Sequence, residues 1–192
     1  MPEEQDGLDD AVKESIIRAI RGVGEITDAV VDTVAGSVVN TVNKTGEVTG
    51  AVTGTISDVV RGAIQGSAQV GGDLAGVTKG VMIGILQGTK EIGSAGLKII
   101  TTTAEEIVKS TVSISGDLGA ASKGAIEGAI EGASSIGVST EEAASAAANG
   151  LLKAAGEVGG TAVEQVQRVL TETISGVKVV VNEPFKSDSD GE

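Results

Sequence analysis

The chain has 192 residues, 40% of them hydrophobic, which is enough to bury one core of ordinary domain size. It contains no Cys, His, Trp or Tyr, and Phe185 is its only aromatic, so thiolate and imidazole metal ligands, His general bases and base-stacking rings are excluded by inventory. A net charge of −13 repels phosphate backbones and anionic headgroups, which argues against nucleic acid as a partner.

From the N-terminus, residues 1–14 carry six acids against Lys13, a crowding that suits a short acidic tail (1–4) and then the first turn of a helix. The start, Met1-Pro2-Glu3-Glu4-Gln5-Asp6, lacks the basic and apolar regions of a secretory signal, and no apolar run long enough to span a bilayer follows. The expectation is a cytoplasmic protein. Residues 71–88 return 44 residues later as 115–132, with Asp73 matching Asp117, Lys79 matching Lys123, and Gly80, Gly84 and Gly88 matching Gly124, Gly128 and Gly132. Half that period gives a 22-residue unit ending on Ile or Val each time, from Ile26 to Val180. Eight units fill 5–180, and the reading is a single helical repeat domain there, with an acidic C-terminal tail over 181–192.

Laid under one another, the units show two wholly apolar columns. The twelfth position reads Ile16, Val38, Val60, Met82, Ala104, Ile126, Ala148 and Leu170, and the sixteenth runs from Ile20 to Ile174. The fourth and eighth columns are mostly apolar, so the stripe recurs every 22/6 residues, about 3.67, the period of a nearly straight amphipathic helix. Strand alternation fits no unit.

Unit boundaries decide between one rod and several helices. From the fourth unit on, the first position is Gly71, Gly93, Ser115, Gly137 and Gly159, and Asp, Ser or Thr stands two residues later in four of the five. Glycine followed by an N-cap residue stops one helix and starts the next. Ser139 with Glu142, and Thr161 with Glu164, add the spacing of a capping box. The predicted class is therefore all-α: antiparallel helices of about 18–19 residues joined by short Gly turns, in a bundle or stack. Boundaries near Thr27 and Thr49 carry weaker signals, which leaves long continuous or hairpin-like helices as the alternative. After Val180, Pro184 forbids further helix, Lys178 to Val181 can be extended, and Phe185 is a candidate to dock on the last helices.

Glycines at four-residue spacing inside these helices need an account, because each costs about 1 kcal/mol relative to Ala. Gly62, Gly66, Gly80, Gly84, Gly88, Gly124, Gly128 and Gly132 fall on helix faces where a second backbone can approach closely, and they are the candidate helix-packing residues. They suggest tight packing within the chain or self-association between chains. A glycine zipper in a membrane is the more remote reading, opposed by Lys79 and Lys123 within the ladders. The Gly-rich run around Lys79 lacks the order of a phosphate-binding loop, and the carboxylates on repeated positions read as a solvated face. No catalytic, cofactor-binding or metal-binding residue is marked out; the expectation is a non-enzymatic protein with no cofactor and no small-molecule substrate.

With that period in hand, the chain resembles amphipathic repeat proteins that coat lipid, namely exchangeable apolipoproteins, synucleins and, less specifically, granule-coating phasins and late-embryogenesis-abundant proteins. Asn43-Lys44-Thr45-Gly46-Glu47-Val48 is similar to the synuclein repeat core. The resemblance implies a coat on a hydrophobic surface such as a neutral lipid droplet or polymer granule. This chain departs from the pattern in using Gly rather than Pro as punctuation, and in carrying 17 acids against 12 bases over residues 15–180.

Overall fold

Where the apolar stripe recurs, the chain is helical. The computed structural model describes residues 3–22, 26–45, 49–93, 96–171, 173–174 and 176–179. Among them are α1 (Glu3–Gly22), α2 (Ile26–Thr45), α3 (Thr49–Val70), α4 (Leu74–Glu91), α5 (Leu97–Ser113), α6 (Leu118–Ile136), α7 (Thr140–Val158) and α8 (Gly160–Leu170). The first three units are separate helices, so the continuous-rod alternative does not hold. The first begins at Glu3, inside the segment expected to be a tail. Residues 181–192, with Pro184 and Phe185, lie outside the described residues, as do Glu25 and Glu47.

Of the helices that precede it, each of α3 to α7 packs most extensively on the one two places before, and α8 rests on both α7 and α6, so α1, α3, α5 and α7 form one layer and α2, α4, α6 and α8 a second. The core lies between the layers and continues into the seams within each. All eight residues of the twelfth column are buried, from Ile16, Val38 and Val60 to Leu170. So is the sixteenth column, except that Ile20 is only partly covered. Much of the rest is alanine, which lets helices lie close without aromatic filling.

Three helix ends close alike. The amides of Gly72, Gly116 and Val138 bond back to the carbonyls of Ser67, Thr111 and Ala133 at 3.0, 2.9 and 3.2 Å, and the residue before each has positive φ: Gly71 66°, Ser115 53°, Gly137 75°. This reversal is the reason for glycine at the first position of a unit. Starts are capped by side chains: Asp73 accepts from the amides of Ala75 and Gly76, both at 3.1 Å, and Asp117 accepts from Ala120 at 3.0 Å. The capping box of Ser139 and Glu142 is present, with both reciprocal bonds.

Two expectations about the last unit are corrected. Thr161 is not an N-cap, because Gly159 (φ 142°) ends α7 and also starts α8, which places Thr161 inside the first turn. The helix also stops at Leu170 after 11 residues rather than 18–19. Beyond it the β-branched run favours extended backbone, and β1 (Thr173–Ile174) pairs antiparallel with β2 (Val177–Lys178) around Gly176, φ 78°. The apolar column survives the change of structure, since Ile174 is buried, with β1 packed against α6 and β2 against α7.

Ser115 is the only described non-glycine residue with positive φ, a conformation that costs an L-residue about 1–2 kcal/mol. Ser115→Gly is expected to raise stability by about 1 kcal/mol, and Gly71→Ser, at the matching turn, to lower it by a similar amount. Thermal melts of the two variants check this opposition.

Candidate functional site

The chemistry-poor inventory leaves the seams between parallel helices as the site where this chain does something specific. In the α2–α4 seam, a Cβ built on Gly80 would lie 2.8 Å from the Thr27 carbonyl oxygen and 2.9 Å from Val30 Cβ. One turn on, Gly84 meets the Val31 carbonyl oxygen and Val34 Cβ, each at 2.8 Å. The next turn brings Gly88 to Val38 Cβ at 2.9 Å and to the Ala35 carbonyl oxygen at 3.0 Å. Both sequences ascend together, so the two helices are parallel. Real Cβ atoms essentially never come within 3.0 Å of other heavy atoms, so glycine is the residue these positions accommodate.

The α4–α6 seam repeats the arrangement. A Cβ added to Gly124 would run into the Ala75 carbonyl and the Thr78 hydroxyl, one on Gly128 would lie 2.6 Å from the Lys79 carbonyl oxygen and 2.8 Å from Met82 Cβ, and one on Gly132 would lie 2.5 Å from Leu86 Cδ1. In the other layer a Cβ added to Gly66 of α3 would lie 2.9 Å from the Lys13 carbonyl oxygen of α1, and one on Gly150 of α7 would run into the Thr101 carbonyl of α5. Gly62 is buried in α3. Sequence reasoning missed Gly150, and also Gly76, where an added Cβ would lie 3.5 Å from Thr27 Oγ1 of α2. Gly76 falls on the four-residue spacing of Gly80 and could have been found that way; Gly150 stands alone among alanines.

Polar groups cross two of these seams and the α3–α5 seam. Thr78 Oγ1 donates to the Ala121 carbonyl at 3.0 Å, Thr101 Oγ1 to the Ala146 carbonyl at 3.2 Å, and Ser57 Oγ to Glu106 Oε2 at 2.6 Å. Ion pairs follow on the outer edge: Lys79 with Glu131 at 2.6 Å, and Lys153 with Glu105 at 2.9 Å. Hydrogen bonding to Glu131 raises the pKa of Lys79 above the ordinary lysine value, and Glu105 does the same for Lys153. The Ser139 backbone amide, and then its hydroxyl, lower that of Glu142. Among the described residues no three carboxylates come together as a metal-binding group, and no helix is long and apolar enough to cross a membrane.

No protein-family model matches the chain, and no curated protein matches it. Among solved structures it is similar to a de novo designed helical repeat protein, with a TM-score of 0.52 at 16% identity over 88% of this chain and 91% of that one. At that identity the likeness concerns the fold alone: an all-α helical repeat.

Two outcomes test the seams. Gly84→Leu is expected to destabilise by about 1–3 kcal/mol or more through overpacking. In contrast Gly36→Ala, in an exposed position of α2 where an added Cβ meets nothing within 4 Å, should gain up to about 1 kcal/mol from helix propensity. Denaturant unfolding of both variants measures the difference. The Lys79–Glu131 pair gives a pH prediction. A lysine whose pKa is raised by folding contributes stability that is complete below its unfolded value of about 10.4 and is lost as pH rises through the higher folded value. Melting temperatures taken on the alkaline side should therefore fall less steeply for Glu131→Gln than for the parent.

Proposed function

We propose that this chain is a non-enzymatic structural protein of the cytoplasm, a helical repeat body whose glycine faces are used to close the stack on itself. The observation that carries this reading is the joint fate of stripe and ladders. Both apolar columns are turned inward, and all the ladder glycines with described neighbours meet another helix of the same chain. Self-association through those glycines draws no support from seams already filled within one chain.

Coating of a neutral lipid droplet or polymer granule would require the stack to open and give up the close backbone contacts of its glycine seams, while moving each Ile, Leu or Val from one apolar surrounding to another brings no further hydrophobic gain. A membrane-inserted glycine zipper would need the same faces. The closed body is the reading the burial favours.

Flotation with neutral-core emulsions and with anionic vesicles, combined with circular dichroism and sedimentation equilibrium, tests the proposal. The expected result is a protein already helical in buffer, sedimenting as one chain and remaining at the bottom of both gradients. Binding to the emulsion with a gain of helix would favour the coat; a reversible oligomer would restore self-association.

A further inference from the structure

Among the same-layer seams from α1 to α7, all but one are closed by glycine of the later helix. The exception is α3–α5, at the centre of its layer, because α5 contains no glycine. Gly150 of α7, which meets α5, stands on a stripe with Ala143, Ala147 and Ala154. One 44-residue repeat earlier, α5 carries Ile99, Thr103, Glu106 and Ser110 at those positions. The equivalence holds in space. A Cβ on Gly150 would run into the carbonyl of Thr101, whereas its counterpart Glu106 meets Ser57, the counterpart of Thr101, whose Oγ donates to Glu106 Oε2 at 2.6 Å. A whole glutamate side chain thus occupies the place that must stay empty one seam along. The backbones of α3 and α5 stand apart to admit it, and this pair packs less extensively than any other same-layer pair from α1 to α7.

We propose that the α3–α5 seam is the joint at which this body flexes, with Glu106 as the spacer that keeps it from closing as its neighbours do. The layer of α2, α4 and α6 is continuous through the glycines of α4 and α6, and it forms the spine. In the other layer, α1 with α3 and α5 with α7 are each held by glycine-to-backbone contact. Parting either of those seams gives up dispersion contacts of closely apposed backbones. Parting α3 from α5 instead uncovers Ser57, Glu106 and Ser110, whose polar groups water satisfies. It also brings water to the Thr103 hydroxyl, which is buried without a partner. Local opening is drawn from the elements with the fewest packed contacts. The attachment of α5 suits such an element: it starts without a side-chain cap, after the longest connection between described helices (residues 92–96). Among consecutive helices, α4 and α5 also pack least on each other.

The chain has no cysteine, so spin labels can be placed at will. Labels at the exposed positions Ala68 and Ser113 span the α3–α5 seam, and labels at their repeat equivalents Val112 and Glu157, also exposed, span α5–α7. In the parent the first distance distribution should be the broader of the two. Giving α5 three residues of α7, by Thr103→Ala, Glu106→Gly and Ser110→Ala together, should narrow it and shorten it by about 2 Å, the range over which helix axes approach according to their contact side chains. Glu106→Gln, equal in size and still able to accept from Ser57, should leave it as in the parent. Parent distributions of equal breadth would overturn the proposal, whether or not the triple variant folds. So would a helical triple variant with the Ala68–Ser113 distance unmoved, or a Glu106→Gln variant in which that distance shortens.

Discussion

Two helix backbones can approach until side chains stop them, and in this chain the stop has been removed on one side of each described glycine seam. The glycine belongs to the later helix and the carbonyl to the earlier one, in both layers. Each interior glycine sacrifices about 1 kcal/mol of helix propensity. That loss is offset by the dispersion contacts of two backbones in direct apposition and by Cα–H···O contacts to the carbonyls. The asymmetry also gives the stack a direction, since Val30, Val34, Ile16 and Met82 on the earlier helix fill the notches that the later helix supplies.

Close approach then explains the rest of the composition. With seams this tight, the space between layers suits Ala, Val and Ile, and α7 contributes Ala143, Ala144, Ala147, Ala148, Ala154 and Ala155, all fully buried. A large aromatic would force the helices apart at one level and open the rungs above and below it. Ion pairs such as Lys79–Glu131 lie at the edge, partly in water, and exposed pairs of this kind contribute at most about 1 kcal/mol. They decorate the seams; the glycine-to-backbone contacts hold them.

How much was legible in the sequence follows from what a repeat encodes. The stripe was legible because burial acts on every unit: Met82 and Ile126 occupy one column and are both fully buried. Turn chemistry was legible at Gly71 and Gly137, where positive φ favours a residue without Cβ, and at the Ser139–Glu142 box. The axial register was not, since a stripe and a ladder that repeat every turn look the same after a slide of one turn. Nor was the end of α8, where a β-branched run outweighed a column that Ile174 continues to satisfy from a strand. Thr161 failed as a cap because neighbouring Gly159 could serve two helices at once.

The ladder positions also describe how the stack ends. In α3, α4, α6 and α7 they include glycines pressed against another helix, whereas on the outer faces of α1 and α2 the corresponding positions are Glu14, Arg18, Gly36, Asn40 and Lys44, all exposed. A further helix stacked there would have to desolvate two charges on one side and a charge and an amide on the other, without the carbonyl-to-glycine contact that compensates elsewhere. Repeat proteins need such polar outer faces, because an uncovered interior face would offer its apolar surface to any second copy. At the opposite end the hairpin lays β1 against α6 and β2 against α7. Growth of the stack in register is thus opposed at one end by charge and at the other by a change of secondary structure, and the same seam geometry that builds the body limits it.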